Sequence, residues 1–134
     1  MAEIRGNDTK PELHLRKGLH ALGFRYCLYK RDLSGRPDLV FPKYGAAVFV
    51  HGCFWHRHPG CRLTTTPSTR TDFWLKKFQS NIERDQRNLN ALSETGWRTA
   101  VVWECALRGD KVPSTVEAVS AWLMGDDCEL DVGA

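Results

Sequence analysis

At 134 residues and 42% hydrophobic content the chain is long enough to bury one core, and it contains no apolar run near the roughly 20 residues a membrane span requires. The formal net charge is +3, but the last nine residues, Asp126 to Ala134, hold four acids and no base, so residues 1–125 carry 19 bases against 12 acids and a charge of +7. Bases interleaved with aromatics over 10–17, 25–36 and 57–87 suit a polyanionic partner such as nucleic acid.

No charged-then-apolar leader opens the sequence, and five cysteines is an odd number, so a soluble, cytoplasmic protein in a reducing compartment is expected rather than a disulfide scaffold. One domain over 1–125 is expected, followed by a flexible acidic tail over 126–134.

In chain order, Thr9-Lys10-Pro11-Glu12 has capping-box spacing, and Leu15, Leu19 and Leu22 follow at helical intervals before Gly23. Phe24 to Tyr29 reads as a first strand, Ser34-Gly35-Arg36-Pro37 as a turn, Asp38 to Phe41 as a second strand and Ala46 to Val50 as a third. A loop rich in His and Cys and a Thr-rich connection lead to Thr71 or Asp72. There a long helix begins, with Leu75, Phe78, Ile82, Leu89 and Leu92 on its apolar stripe and Gly96 beyond its end. Arg98 to Trp103 is a nearly continuous apolar run and hence an interior strand; Val116, Val119 and Leu123 mark a last helix. The order predicts a mixed sheet with helices on its faces.

The densest chemistry lies in His51-Gly52-Cys53-Phe54-Trp55-His56-Arg57-His58-Pro59-Gly60-Cys61, delivered by the third strand. Cys53, His58 and Cys61 have zinc-like spacing; a closed tetrahedral site needs a fourth ligand, for which Cys105 is the candidate. His51 and His56 then remain for proton chemistry near neutral pH. A turn between the second and third strands brings Asp38 beside His51, where its carboxylate either holds a divalent cation or closes an Asx-type turn. Asp85 falls on the apolar stripe of the long helix, so it needs a partner: a catalytic histidine, or a base such as Arg84 or Arg87.

Gly35-Arg36-Pro37-Asp38, the block His51 to Cys61, Thr69-Arg70-Thr71 before Phe73-Trp74, Asn81 to Asp85, and Trp103 to Gly109 together resemble the very-short-patch repair (Vsr) endonucleases, DNA mismatch nicking enzymes with the PD-(D/E)XK restriction-endonuclease-like fold. The resemblance runs from about Ile4 to Gly109. It implies an α/β fold with a structural zinc at Cys53, His58, Cys61 and Cys105. It also implies Mg²⁺ at Asp38 and the Val50 backbone carbonyl, His56 as general base, and His51 on the scissile phosphate or metal-bound water.

Glu12 matches the family's acidic residue near the catalytic centre, and it is equally the third residue of the capping box. Phe54, Trp55 and Trp74, with Arg70, correspond to DNA-contacting positions, the aromatics wedging beside the mismatch. The implied substrate is duplex DNA with a T:G mismatch, nicked on one strand by a monomeric prokaryotic enzyme working alongside mismatch-repair proteins, with no membrane. Arg57, Pro59 and an added Gly60 depart from the family's His-rich loop but keep all four zinc ligands. Cys27 and Cys128 match no role and are expected as a core thiol and a tail thiol; Trp97, Trp103 and Trp122 are expected in packing. Two rival readings are a zinc-bearing DNA-binding module without catalysis and a same-fold nuclease with another DNA target.

Overall fold

A computed structural model describes residues 9–28, 30 and 32–133. Ile4 and Tyr29, bounds of two of the segments above, lie outside the described residues. Helix α1 (Lys10–Ala21) starts as its capping box dictates: the Glu12 N–H donates to Thr9 Oγ1 at 3.4 Å, and Pro11 sits in the first turn. Leu15 and Leu19 are fully buried. Leu22 is not part of that stripe, because it caps the helix and stands exposed while Gly23, at φ +97°, turns the chain and hands the buried place to Phe24.

The first strand is shorter than expected. β1 is Cys27–Leu28, an edge pair antiparallel to β2 (Leu39–Phe41), and at this edge Cys27 is exposed rather than a core thiol. A single 3₁₀ turn, Pro42–Tyr44, and Gly45 at φ +61° lead into β3 (Ala46–His51), antiparallel to β2. The expected His/Cys loop opens instead as one turn of helix, α2 (Cys53–His56). Next come α3 (Thr71–Glu94), β4 (Arg98–Trp103), two 3₁₀ turns over Glu104–Leu107 and Gly109–Lys111, and α4 (Val112–Met124).

Glu129–Val132, expected as a frayed tail, forms β5 parallel to β4. Its acids alternate with Leu130 and Val132, which pack on the main core, so the segment has the period-2 pattern of a half-buried strand despite its charge. Arg98 anchors the approach by donating to the Asp127, Leu123 and Trp122 carbonyls, with its guanidinium 4.5 Å from the centre of the Trp122 ring.

The sheet order is β1-β2-β3-β4-β5, antiparallel on one side of β3 and parallel on the other. Strand alternation divides the core. Ala46, Val48, Ala100 and Val102 face α1 and α4, whereas Ala47 and Phe49 meet Leu92 and the partly buried Leu89 of α3. Val101 and Trp103 belong to a third cluster with Cys53 and Cys105, which Leu89 also touches.

The buried stripe of α3 is shifted from the expected register. Leu75 and Ile82 are 51% and 42% exposed, and the inward positions are Phe78, Asn81 and Leu92, with Asp85 largely covered. The helix therefore turns polar side chains inward where the site lies. Among the described residues, no helix is long and apolar enough to cross a membrane.

Candidate active site and metal centre

Pairing of β2 with β3 sets Asp38 against the end of β3, where the Val50 N–H donates to Asp38 Oδ2 at 2.7 Å. Burial pushes the Asp38 carboxyl up to about 7 against the pull of that N–H, and the charge of Glu12 adds to the rise. Glu12 is itself buried on α1, with Oε2 3.1 Å from Arg16 Nη1. A carboxylate made costly by burial and by the charge of Glu12 is a ready acceptor for a cation. Carboxylate and backbone carbonyl oxygens are the hard donors Mg²⁺ prefers, so Asp38 and the Val50 carbonyl fit that ion.

One residue further, alternation turns His51 to the α3 face. Its ring stacks on that of His56 at 3.9 Å and 6° and meets Trp103 edge-on at 5.2 Å. Burial, reinforced by the charge of His56, pushes the His51 pKa down to about 3, so His51 is neutral at working pH. His56, the last residue of α2, lies with Nδ1 2.6 Å from Asp85 Oδ2. Burial raises Asp85, but the hydrogen bond and charge of His56, with His51 and Arg84 beyond, outweigh it and hold the carboxyl below the usual range. An ionised carboxylate only accepts, so Nδ1 carries the proton and Nε2 is left free as a base. Arg84 Nη2 is 3.7 Å from the other Asp85 oxygen.

Behind this pair stands a second cluster. Donor atoms of Cys53, His58, Cys61 and Cys105 all lie within 4.8 Å of one another. His58 Nδ1 is 3.7 Å from Cys53 Sγ and 3.4 Å from Cys105 Sγ. Bond lengths of about 2.0–2.3 Å to a tetrahedral zinc give ligand-to-ligand edges of about 3.3–3.8 Å, so the cluster fits that ion. Burial pushes the Cys53 thiol up to about 12 in the metal-free chain, while the backbone N–H of Leu63 leads the effects that bring Cys61 down to about 7. A metal bound by these thiols would displace protons from them.

Phe54 and Trp55 project from α2 toward α3. They are half-buried and packed together with Trp74: Phe54 is 6.0 Å and Trp55 5.9 Å from Trp74, ring centre to ring centre, and Phe54 is 5.3 Å from Phe78. Arg70, exposed at the start of α3, lies 4.8 Å over Phe73, which abuts Trp74.

The family model for the DNA mismatch endonuclease Vsr matches residues 1–62. The DNA mismatch endonuclease Vsr of Escherichia coli (strain K12) is 41% identical over 98% of this chain and 86% of its own length. The chain belongs to the Vsr endonuclease family. The type II nicking enzyme V.XorIIP of Xanthomonas oryzae pv. oryzae is 49% identical over 80% of the chain and 78% of the relative; V.NmeAIP of Neisseria meningitidis, also a type II nicking enzyme, is 43% identical over 84% and 79%. This member of the Vsr family is accordingly a DNA-nicking endonuclease, and its substrate is DNA.

Three residues that support the site in this Vsr-family chain lie in segments that carry the family resemblance but were given no role of their own. Arg57, at φ +57°, lays its guanidinium 3.8 Å from the Phe78 ring centre and donates to the Phe54 and Thr65 carbonyls and to Thr66 Oγ1, tying the aromatics to the Thr-rich loop. Asn81, buried on α3, donates to the Trp55 carbonyl at 3.1 Å, and Glu104 accepts from the Cys53 N–H at 3.2 Å. The part each one plays depends on strand ends and α2 being brought together in the fold.

Proposed function

We propose that the protein nicks one strand of duplex DNA beside a T:G mismatch, with Mg²⁺ in the active site and zinc as a structural staple of a PD-(D/E)XK-type nuclease. The observation that carries the catalytic reading is the 2.6 Å contact of His56 with Asp85, set beside the Asp38–Val50 contact at the end of β3. Asp38 and the Val50 carbonyl would hold the divalent cation, which when bound would supply charge stabilisation for the phosphoryl group. His56 Nε2 takes the proton from the attacking water, and Asp85 holds the ring by Nδ1 and stabilises the imidazolium that forms. His51, kept neutral by burial, gives the phosphate a hydrogen-bond donor without competing for that proton. Glu12 tunes Asp38 through its charge.

On the DNA side, Phe54, Trp55 and Trp74 form the wedge, and Arg70 a phosphate contact. A mismatched step is easier to unstack than a paired one, so a wedge that must open the stack gains selectivity from that difference. The enzyme acts as a cytoplasmic monomer and hands its nick to mismatch-repair proteins. The names of the nicking-enzyme relatives support strand nicking as the reaction.

Incubation of the protein with Mg²⁺ and otherwise identical duplexes bearing T:G, another mismatch or none tests the proposal. Nicks confined to the T:G duplex and absent without Mg²⁺ are expected. Equal nicking of all duplexes would replace the mismatch assignment with a same-fold nuclease of another target.

A further inference from the structure

The alternation that puts Leu130 and Val132 on the main core turns Asp131 to the opposite face of the sheet, the face of Trp103. Both Asp131 oxygens accept from the Trp103 Nε1–H, at 3.1 and 3.3 Å. The indole held in this way is stacked on His58 at 4.4 Å and 11°, and its edge meets His51. Gly133 approaches the same histidine: a Cβ added there would lie 2.6 Å from His58 Nε2 and 3.7 Å from the Trp103 ring. His58 Nδ1, meanwhile, faces the Cys53 and Cys105 sulfurs. The imidazole is thus set between the indole and the backbone of the C-terminal segment, with its ligating nitrogen turned to the thiols.

We propose that β5 is a positioning element of the nuclease: Asp131 and Gly133 fix Trp103 and His58, and through that single indole they couple the zinc cluster to His51. The inference rests on the zinc reading above. Partners that orient a ligating histidine behave as part of the metal site, and their loss typically costs about 10–100-fold in metal affinity.

The test measures zinc content and the rate of zinc transfer to a chromogenic chelator, with single-turnover nicking of a T:G duplex in parallel. Asp131→Ala and Gly133→Ala should each release zinc at least about tenfold faster and nick more slowly, with KM for DNA and preference for T:G over matched duplex unchanged. Asp131→Asn, whose amide oxygen still accepts from the indole, should behave as the parent. Leu130→Ala, on the core face of the same strand, separates positioning from mere strand stability: it should lower Tm yet leave zinc release near the parental rate.

Parental release from Asp131→Ala, or release from Leu130→Ala as fast as from Asp131→Ala, would overturn the inference. So would failure of Asp131→Asn to rescue. A parent protein that contains no zinc would overturn the zinc reading and this inference together, whereas zinc in the parent with unchanged Asp131→Ala removes this inference alone.

Discussion

The contact between His56 and Asp85 predicts a specific failure of additivity. His56→Ala removes the proposed general base and should slow single-turnover nicking by roughly 10²–10⁴-fold. Asp85→Asn keeps the shape and removes the charge from a 2.6 Å bond whose partners are 24% and 17% exposed. Hydrogen bonds to charged groups contribute about 1.5–3 kcal/mol. At about 1.4 kcal/mol per tenfold in rate, that loss converts to about one to two decades.

Asp85 acts only through His56 in this scheme, so the double variant should be no slower than His56→Ala, within about threefold. The assay is nicking of a T:G duplex at saturating enzyme and Mg²⁺, with zinc content and Tm checked for each variant. A double variant slower than His56→Ala by the full Asp85→Asn factor would refute the reasoning. It would give Asp85 a function of its own, such as holding the cation.

In the metal-free protein, Asp38 with its pKa raised to about 7 keeps its proton in the folded state where the unfolded chain, at 3.8, has lost it, so it makes stability fall as pH rises from about 4 to 7. His51, lowered from 6.5 to about 3, has the opposite slope between those two values, because only the unfolded chain takes up its proton there. The two should nearly cancel up to about pH 6.5. Asp38→Asn should then uncover a rise in denaturant-measured stability from pH 5 to 6.5, approaching about 1.4 kcal/mol per pH unit, and should abolish a Tm gain from Mg²⁺ that in the parent grows with pH. Cys105→Ser should lower both zinc content and Tm; full zinc in that variant would remove Cys105 from the set. Trp55→Ala should weaken binding to T:G duplex by about 1–3 kcal/mol and erode its preference over matched duplex while zinc stays bound. Unchanged preference would make Trp55 a packing residue.

Where local rules and tertiary demands agree, the sequence was legible. The capping box at Thr9 starts α1, and the apolar run Arg98 to Trp103 is β4 to the residue. The readings diverged where function breaks the pattern. On α3 the apolar Leu75 and Ile82 were expected inside and stand exposed, whereas the buried side, which includes Asp85 as expected, carries that residue to His56 and also Asn81 to the Trp55 carbonyl. A polar residue at a buried position is affordable only with a partner, and both partners sit on α2, far away in sequence.

The same logic explains the C-terminus. Four acids over nine residues read as a solvated tail, yet one of them, Asp131, faces an indole N–H and the two apolar residues flanking it complete the sheet. Composition averaged over the segment hid a period of two. The two histidines and the Cys/His cluster stood out by residue type and spacing, with their roles implied by the family resemblance, but their arrangement depends on a short helix and on strand parity. His51 and Trp103 leave β3 and β4 in register on the α3 face, so the last residues of two parallel strands set the distance between the two histidines, the indole and the Cys/His cluster.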